Sequence, residues 1–363
     1  MQLEKISIKG FRGIPNLELP DLGRINLIIG KNNTSKTSVL ESIFLLVGAS
    51  NPILVVNINN FRNLALTEED DLRFVFNNLD FENPLQIKGE FSERGLQRDL
   101  SIKPGKKVIY AESSKSSKNG ISFPNLNTAT GEPLINELIF EFTNKEFQKK
   151  AKHYHGSFTL DNSNLTINPP QNYKESIKAI YVLPSSYALT ETLEKQLENL
   201  IVNKQEQKIV EGLKHIDSSI KGIALGVNRM VYVDIGLSRL IPLNLLGDGI
   251  RRMLNIMLSI SGVNNGIALI DEIDNGLHYS TLSVLWKTVL EASKQFNVQI
   301  FTTTHNYETL KYLKILLDQP EMHSFQSCIR SITLQRLNDQ SIMAYTYTYD
   351  KLNYSIEQGI EIR

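Results

Sequence analysis

A chain of 363 residues is long enough to bury a large hydrophobic core and forms one large or two ordinary domains. Lysine plus arginine and aspartate plus glutamate balance at 39 each, so no overall field draws the protein to nucleic acid or to an anionic membrane. A single cysteine excludes a disulfide framework within the chain and a cysteine-cluster metal site. That residue, Cys328, adjoins an apolar stretch, and we expect it in the core.

No run of 18 apolar residues occurs, which predicts no membrane span. The first residues also lack the apolar segment of a signal peptide. We therefore expect a cytoplasmic protein with no membrane partner.

The first informative pattern in chain order is a phosphate-binding loop. An apolar stretch, 24–29, precedes it and an apolar helical stretch, 38–47, follows it; the loop itself reads Gly30-Lys31-Asn32-Asn33-Thr34-Ser35-Lys36-Thr37. This is the strand, loop and helix order of a P-loop, whose backbone N–H groups point at phosphates. We predict that Lys36 reaches the β- and γ-phosphates and that the Thr37 hydroxyl holds Mg²⁺.

One position of this loop departs from the pattern, which has glycine where this chain has Ser35. The departure matters most if the backbone there needs φ > 0, since glycine adopts that region freely and serine does not. We therefore expect ATP binding, with hydrolysis that is slow.

The segment from 51 to 182 predicts a β-rich lobe, with strands at 135–142 and 177–183. Within it, Glu112 to Gly120 reads as a flexible hairpin tip or a disordered loop. Any contact with DNA must come from local patches, and the only candidates are Lys103 to Lys107 and Lys149 to Lys152. We interpret both as solvated loop charge.

Residues 186–226 predict a helical insertion. The stretch from Glu191 to His215 is charged and carries Leu, Ile and Val at helical spacing. It lacks sustained heptads, which argues against a long coiled coil. We interpret it as a short insertion that could act as a dimer clasp.

The segment from 229 to 315 predicts a return to an α/β core. Within this segment, Gly247-Asp248-Gly249 precedes a helical stretch, 250–260. A helix that begins next to glycines can bind an anion at its amino end. Trp286, at helical spacing from several leucines, is predicted to lie in the core.

Two buried strands follow, and each ends in polar residues. The apolar run 267–270 leads to Asp271 and Glu272, which we assign to holding Mg²⁺ through water and to orienting or deprotonating the attacking water. The run 298–304 leads to His305, which is well placed to contact the γ-phosphate.

Together these motifs resemble those of an ABC-type ATPase, with Lys36 in Walker A, Asp271-Glu272 as Walker B and His305 as the switch histidine. The opening stretch, 6–14, resembles the start of the RecF, SMC and OLD branch. Asp271 to His278 and Thr304 to Glu308 are similar to motifs of the OLD-like ATPases.

The resemblance implies a head that dimerises on ATP, each nucleotide lying between one chain's Walker A and the other chain's signature loop. Gly247-Asp248-Gly249 matches that loop, although serine is usual where Gly247 stands. Arg12 resembles the family arginine near the nucleotide, and Asp274-Asn275 the dimer-contacting loop. The implied nucleotide contacts are Arg12, Gly30, Asn32, Asn33, Thr34, Ser35, Lys36, Thr37, Ser38, Gly247, Asp248 and Gly249.

The predicted architecture is therefore a single α/β domain over 1–363, a P-loop NTPase of ABC type. A mixed sheet surrounds the phosphate loop, and an antiparallel β lobe and the helical insertion are added to it. The stretch after His305 is too short for the Toprim nuclease domain that OLD proteins usually carry, and it lacks an Asp-x-Asp pair. We expect its strands, near 326–335 and 341–348, to complete the fold.

Two classes of function stay open. One is an ATP-hydrolysing switch with Mg²⁺, a homodimer or larger homo-oligomer that works with a separate nuclease or toxin effector in antiphage defence or DNA repair, with DNA as a possible partner. The other is a scaffold that holds ATP without turnover and senses or restrains a partner; Ser35 and Gly247 favour it modestly. A transporter ATPase subunit is a distant third, since it would need a membrane partner.

Overall fold

A computed structural model describes residues 1–108, 133–161, 164–185 and 189–360. The predicted hairpin tip from Glu112 to Gly120 lies outside the described residues. Within them, no helix is long and apolar enough to cross a membrane.

The described strands, in chain order, are β1 (Leu3–Phe11), β2 (Ile14–Leu19), β3 (Ile25–Ile29), β4 (Leu85–Phe91), β5 (Leu96–Val108), β6 (Pro133–Lys145), β7 (Lys152–Asp161), β8 (Asn164–Asn168), β9 (Ala179–Val182), β10 (Gly222–Leu225), β11 (Val231–Asp234), β12 (Ile241–Pro242), β13 (Ile267–Ile270), β14 (Gln299–Thr304), β15 (Ile329–Arg336) and β16 (Ile342–Tyr347). The described α-helices are α1 (Lys36–Val47), α2 (Leu54–Asn60), α3 (Glu191–Val202), α4 (Gln207–Lys214), α5 (Asp248–Gly262), α6 (Leu282–Phe296), α7 (Tyr307–Leu317), α8 (His323–Gln326) and α9 (Tyr349–Glu357).

A mixed six-stranded sheet forms the centre of the fold, in the order β16-β15-β3-β14-β13-β9. All neighbouring pairs from β15 to β9 are parallel, and only β16 is antiparallel to its neighbour. The carboxyl ends of the parallel strands therefore meet at one edge. Strands β3, β13 and β14 are buried along their whole length, as their apolar runs predict.

The central sheet separates two hydrophobic cores. Along β13, Ala268 and Ile270 pack into the core with the helices α3 to α7, while Ile267 and Leu269 pack into the core with α1. This division follows from the alternation of side chains along a strand. Trp286 of α6 is fully buried in the first core, as predicted, and its indole N–H donates to the carbonyl of Thr309 at 2.8 Å.

A second, antiparallel sheet covers the other side of α1, in the order β2-β1-β4-β5-β6-β7-β8. A small sheet, β10-β11-β12, follows the helices α3 and α4. The predicted strands near the end of the chain are present as β15 and β16, which extend the central sheet at its β3 edge. The prediction for Cys328 was wrong: it is half-buried beside β15 and not in the core.

Candidate nucleotide-binding site

The loop between β3 and α1 is shaped by residues that only partly match the P-loop pattern. Gly30 has φ 155°, and a Cβ there would lie 2.5 Å from Thr34 Oγ1 and 2.6 Å from the carbonyl oxygen of Leu334. Only glycine fits so close an approach. The Thr34 hydroxyl closes the turn by donating to the carbonyl of Lys31 at 2.9 Å.

Ser35 adopts the left-handed conformation that its pattern position normally gives to glycine, with φ 67° and ψ 25°. A non-glycine residue there costs on the order of 1–2 kcal/mol. The Ser35 hydroxyl accepts a hydrogen bond from Arg336 Nη2 at 2.9 Å, and the same nitrogen donates to the carbonyl of Gly13 at 2.9 Å. Arg336 thus stabilises the loop in the conformation that a P-loop requires.

Lys36 opens α1 and turns its side chain back over the loop. Its ammonium group donates to the carbonyls of Gly30 at 2.7 Å and Lys31 at 2.9 Å. Burial lowers the pKa of Lys36, and the carboxylates of Asp271 and Glu272 act in the opposite direction. The ammonium group therefore lies within the electrostatic reach of both acids.

Two hydroxyls hold the carboxylate at the end of β13. Thr37 Oγ1 donates to Asp271 at 3.0 and 3.2 Å, and Thr303 Oγ1 donates to Asp271 Oδ1 at 2.6 Å. The Thr303 oxygen also accepts from the backbone N–H of Glu272 at 2.8 Å. These contacts fix the neighbouring acids Asp271 and Glu272 relative to the phosphate loop.

Thr37 and Asp271 suit Mg²⁺, because a hydroxyl and a carboxylate supply the hard oxygen ligands that this ion prefers. No group of three or more His, Cys, Asp or Glu side chains in the described part of the chain forms a metal cluster. This fits an ion held by one carboxylate together with substrate phosphates, the usual arrangement for Mg²⁺.

Glu272 and His305 face each other at the same sheet edge. His305 Nδ1 lies 3.9 Å from Glu272 Oε1, and the two side chains are 55% and 40% exposed. Glu272 has φ 45°, a left-handed conformation that is uncommon for a residue other than glycine. Strain of this kind clusters at functional sites, where it positions a side chain.

Arg12 belongs to a buried ionic cluster beside the loop. Its Nε lies 3.1 Å from Glu41, whose carboxylate also accepts from Arg62 Nε at 2.7 Å and Nη2 at 3.0 Å. Glu41 is fully buried, and burial raises its pKa against the effect of both arginines. Burial also disfavours the charged form of Arg12 and lowers its pKa to about 10, although the Glu41 carboxylate acts in the opposite direction. Arg62 also donates a hydrogen bond from Nη2 to the hydroxyl of Ser38 at 3.3 Å.

A cavity of about 690 Å³ unites most of the predicted site residues, a size suited to a nucleotide. Its walls include the predicted residues Arg12, Asn32, Asn33, Thr34, Ser35, Lys36, Thr37, Ser38, Asp271 and Glu272, together with Gly13, Arg62, Phe74, Phe76, Asn78, Leu79 and Thr303, which the motifs do not indicate. Gly30, which is also a predicted nucleotide contact, is not part of this wall. His305 lines an adjoining cavity that shares Glu272 and also contains Asp274 and Asn275.

The predicted signature residues do not line the nucleotide-sized cavity of their own chain. Gly247 precedes α5 with φ −62° and ψ 153°, and a Cβ added there would have no neighbour within 4 Å among the described residues. Asp248 pairs with Arg251 in the first turn of the helix, and a Cβ on Gly249 would meet Leu277 at 3.5 Å. In the described part of the chain, the start of α5 is therefore open to another molecule.

The predicted dimer-contacting loop is anchored from within. The Asp274 carboxylate accepts from Thr304 at 2.8 Å and from Thr309 at 2.9 Å. Asn275 is exposed and donates to the carbonyl of Pro184 at 3.4 Å. Asp274 thus holds the loop's shape, and Asn275 is the residue presented outward.

Sequence reasoning missed several residues that shape this site, notably Glu41, Arg62, Thr303 and Arg336. Arg252, fully buried on α5, is another, since its Nη2 donates to the carbonyls of Asp271 at 3.0 Å and Glu272 at 3.2 Å. For Glu41 and Arg252, the sequence offered one indication of a role in the site: each is a charged residue within an apolar helical stretch.

Fold and site together define a P-loop NTPase of the ABC type, as the sequence predicted. The chain belongs to the family described as AAA ATPase domain (AAA_15), whose model matches residues 1–309.

Two proteins of known name are similar to this chain in sequence, and one solved structure is similar to it in fold. An "ATP/GTP phosphatase" of Helicobacter pylori is 25% identical over 378 aligned residues, which cover 98% of each chain. The "DNA replication and repair protein RecF" of Clostridioides difficile is 28% identical over 175 residues, covering 46% of this chain and 43% of RecF. The head domain of an SMC protein, solved with the C-winged helix domain of ScpA, matches with a TM-score of 0.53 at 11% identity, covering 98% of this chain and 100% of that one.

Proposed function

We propose that the protein binds ATP in the cavity of about 690 Å³ and hydrolyses it, and that two copies close on the nucleotide as a switch. The observation that carries the proposal is the joint position of Lys36, Thr37, Asp271 and Glu272. Thr37 contacts Asp271 directly, and Thr303 fixes Asp271 and Glu272 together. The full-length similarity to an "ATP/GTP phosphatase" supports the same activity and makes GTP a second substrate to test.

Each residue of the site has a distinct role in the proposed hydrolysis of ATP. The loop N–H groups and Lys36 bind the β- and γ-phosphates and balance their charge. Thr37 and Asp271 would hold Mg²⁺, and the ion would offset the negative charge that develops on the phosphate oxygens during the reaction. Glu272 orients a water for attack on the γ-phosphorus and accepts its proton as the bond to the β-phosphate oxygen breaks. His305 donates a hydrogen bond to the γ-phosphate oxygens from the adjoining cavity.

A second copy of the chain would complete the site. Gly247-Asp248-Gly249 lies outside its own chain's cavity, and the open start of α5 presents backbone N–H groups to an anion. We propose that it meets the γ-phosphate bound by the other copy, with Asn275 at the contact between the two. ATP then joins the copies and hydrolysis separates them.

We further propose that the protein is an OLD-type head, which acts in the cytoplasm with a separate nuclease or toxin in antiphage defence or DNA repair. Its motifs and its similarity to RecF support a role linked to DNA. The helices α3 and α4 are the proposed dimer clasp.

The test compares the wild type with Glu272→Gln and a control, Glu291→Gln, which changes an exposed carboxylate on α6 in the same way. Release of phosphate from ATP and GTP is measured, and mass is followed by light scattering with and without nucleotide. We expect Glu272→Gln to retain ATP binding, to lose at least 100-fold in kcat and to accumulate the closed dimer, while Glu291→Gln behaves as wild type.

One alternative has specific support: a scaffold that holds ATP without turnover. Ser35 in a left-handed conformation and the missing hydroxyl at Gly247 both favour it. Wild-type protein that binds ATP with no turnover and a constant mass would establish the scaffold and refute the switch.

A further inference from the structure

A second cavity, of about 610 Å³, lies at the opposite end of the central strands from the phosphate loop. Its wall includes Asn265 and Asn297, which precede the amino ends of β13 and β14. Asp271 and His305 follow the carboxyl ends of the same two strands. At roughly 3.3 Å per residue, the six residues of β14 alone separate the two sites by about 20 Å. This cavity is therefore distinct from the proposed ATP site.

Positive charge from three separate segments converges on its rim. Arg94 comes from the turn between β4 and β5, and Lys174 from the segment after β8. Lys149 and Lys150 lie in the turn between β6 and β7, and Lys152 is the first residue of β7. We call these five residues the basic rim. The fold thus joins one of the two basic stretches to cations that the sequence places far from it.

Most of this charge is not neutralised locally. The carboxylates on the cavity wall are Glu93, 3.8 Å from the N-terminal ammonium, and Glu146, which pairs with Lys149 at 2.5 Å. Within the described parts of the chain, the other four members of the basic rim make no ion pair within 4.0 Å. In the other basic stretch, Lys103 likewise pairs with a carboxylate, that of Glu141, at 2.7 Å. In a protein with no net charge, the basic rim is a local positive field.

Aromatic rings accompany the cations. Phe147, at the tip of the β6–β7 turn, is 74% exposed, and its backbone N–H donates to the carbonyl of Arg94 at 3.0 Å, which ties the two turns together. Tyr154 and Tyr173 line the cavity with their ring centroids 4.6 Å apart. The buried Arg98 fixes Tyr173 by donating to its hydroxyl at 2.6 Å. Aromatic rings near a positively charged groove are surfaces on which unpaired bases stack.

We propose that this face binds single-stranded nucleic acid, the basic rim contacting the phosphates and Phe147 and the cavity tyrosines stacking on bases. Unpaired cations together with exposed aromatic rings are the combination that binds single strands without sequence preference. The inference does not rest on the proposed ATPase cycle, because this surface lies at the other end of the central strands from the proposed ATP site.

The experiment measures the fluorescence anisotropy of a labelled single-stranded DNA titrated with full-length protein at several salt concentrations. We expect Lys150→Glu/Lys152→Glu to weaken binding at least tenfold and to reduce the slope of log K against log salt by about 1.4, roughly 0.7 for each lost phosphate contact. Phe147→Ala should weaken binding roughly tenfold with the salt slope unchanged, because stacking releases no counterions.

The matched control is Lys311→Glu/Lys351→Glu, an equal change of charge at exposed positions of α7 and α9, which should bind as wild type. Equal weakening by the control pair would overturn the assignment of the site. So would tight binding of mononucleotides or anionic vesicles in place of DNA. Phosphate release from ATP is recorded for every variant. Lost DNA binding with ATP turnover intact is expected of the rim variants, whereas a wild type that turns over ATP but ignores DNA refutes this inference and leaves the proposed function standing.

Discussion

Arg336 at the end of β15 donates from Nη2 to the hydroxyl of Ser35 at 2.9 Å, across 301 positions of sequence. The same guanidinium holds the loop at two further points, the carbonyl of Gly13 at 2.9 Å and that of Asn33 at 3.1 Å. Ser35 and Asn33 both have positive φ, at 67° and 64°. An arginine on a neighbouring strand therefore helps hold a loop conformation that glycine would adopt unaided.

We predict that Arg336→Ala weakens ATP binding about tenfold, because the loop loses the donor that holds its two left-handed residues in place. Calorimetric titration with ATP measures the effect. Arg330→Ala is the control, since Arg330 lies at the start of the same strand and pairs with Asp21 at 2.7 Å, away from the loop. Equal losses of affinity in both variants would show that Arg336 acts only through general stability.

The sequence is most informative where a function resides in consecutive residues. The phosphate loop, Asp271-Glu272 and His305 were all predicted because each follows a strand whose apolar run is visible by itself, and parallel strands bring such ends to one edge. The same local patterns predicted β15 and β16. The sequence alone identified Ser35 as a departure from the loop pattern. It also indicated that this departure matters most if Ser35 has a positive φ, which the structure shows.

Contacts between distant segments were not predictable. Arg336 is one half-buried arginine at a strand end, and nothing near it in sequence indicates a role at the loop. Thr303 reads as an ordinary β-branched strand residue, although it binds both Asp271 and Glu272. For Cys328 the sequence predicted too much burial. Its neighbours in sequence are apolar, but it lies just before β15 and is only half-buried there.

The buried carboxylate of Glu41 should be important for folding. Glu41→Gln removes the charge that faces Arg12 and Arg62, and breaking a buried ionic group in this way costs about 3 kcal/mol. We expect a melting temperature lower by roughly 5 °C in thermal unfolding. Glu90→Gln, at an exposed pair with Lys5 on the antiparallel sheet, should change it by under about 1 °C. A Glu41→Gln protein as stable as wild type would mean that the arginines find other partners.

Gly247→Ser should strengthen association of the two copies. The position has φ −62° and ψ 153°, and an added Cβ meets none of the described residues within 4 Å, so serine fits among them without strain. Its hydroxyl can cap α5 and, in the proposed dimer, donate to the γ-phosphate. We expect ATP-dependent dimerisation to tighten about threefold or more in analytical ultracentrifugation.

The control for that substitution lies at the other end of the same helix. Gly262→Ser introduces the same side chain where a Cβ would lie 3.7 Å from Gln196, far from the open start of α5. It should leave dimerisation unchanged. Tightening by both variants would indicate a general effect on the helix, and tightening by neither would argue against a phosphate contact at Gly247.

Thr303 offers the sharpest separation of catalysis from stability. Thr303→Val keeps the shape of the side chain but removes the donor to Asp271 and the acceptor for the Glu272 N–H. Both acids then lose their alignment with Thr37, and a buried N–H is left unpaired at a cost of about 1–3 kcal/mol. Thr302→Val is the matched control, because its hydroxyl is equally buried but donates to the carbonyl of Ile270 at 2.9 Å. Both variants should melt at lower temperature, whereas only Thr303→Val should lower kcat for ATP, by about tenfold with little change in KM. If kcat falls equally in the two, Thr303 serves the sheet and does not position the acids.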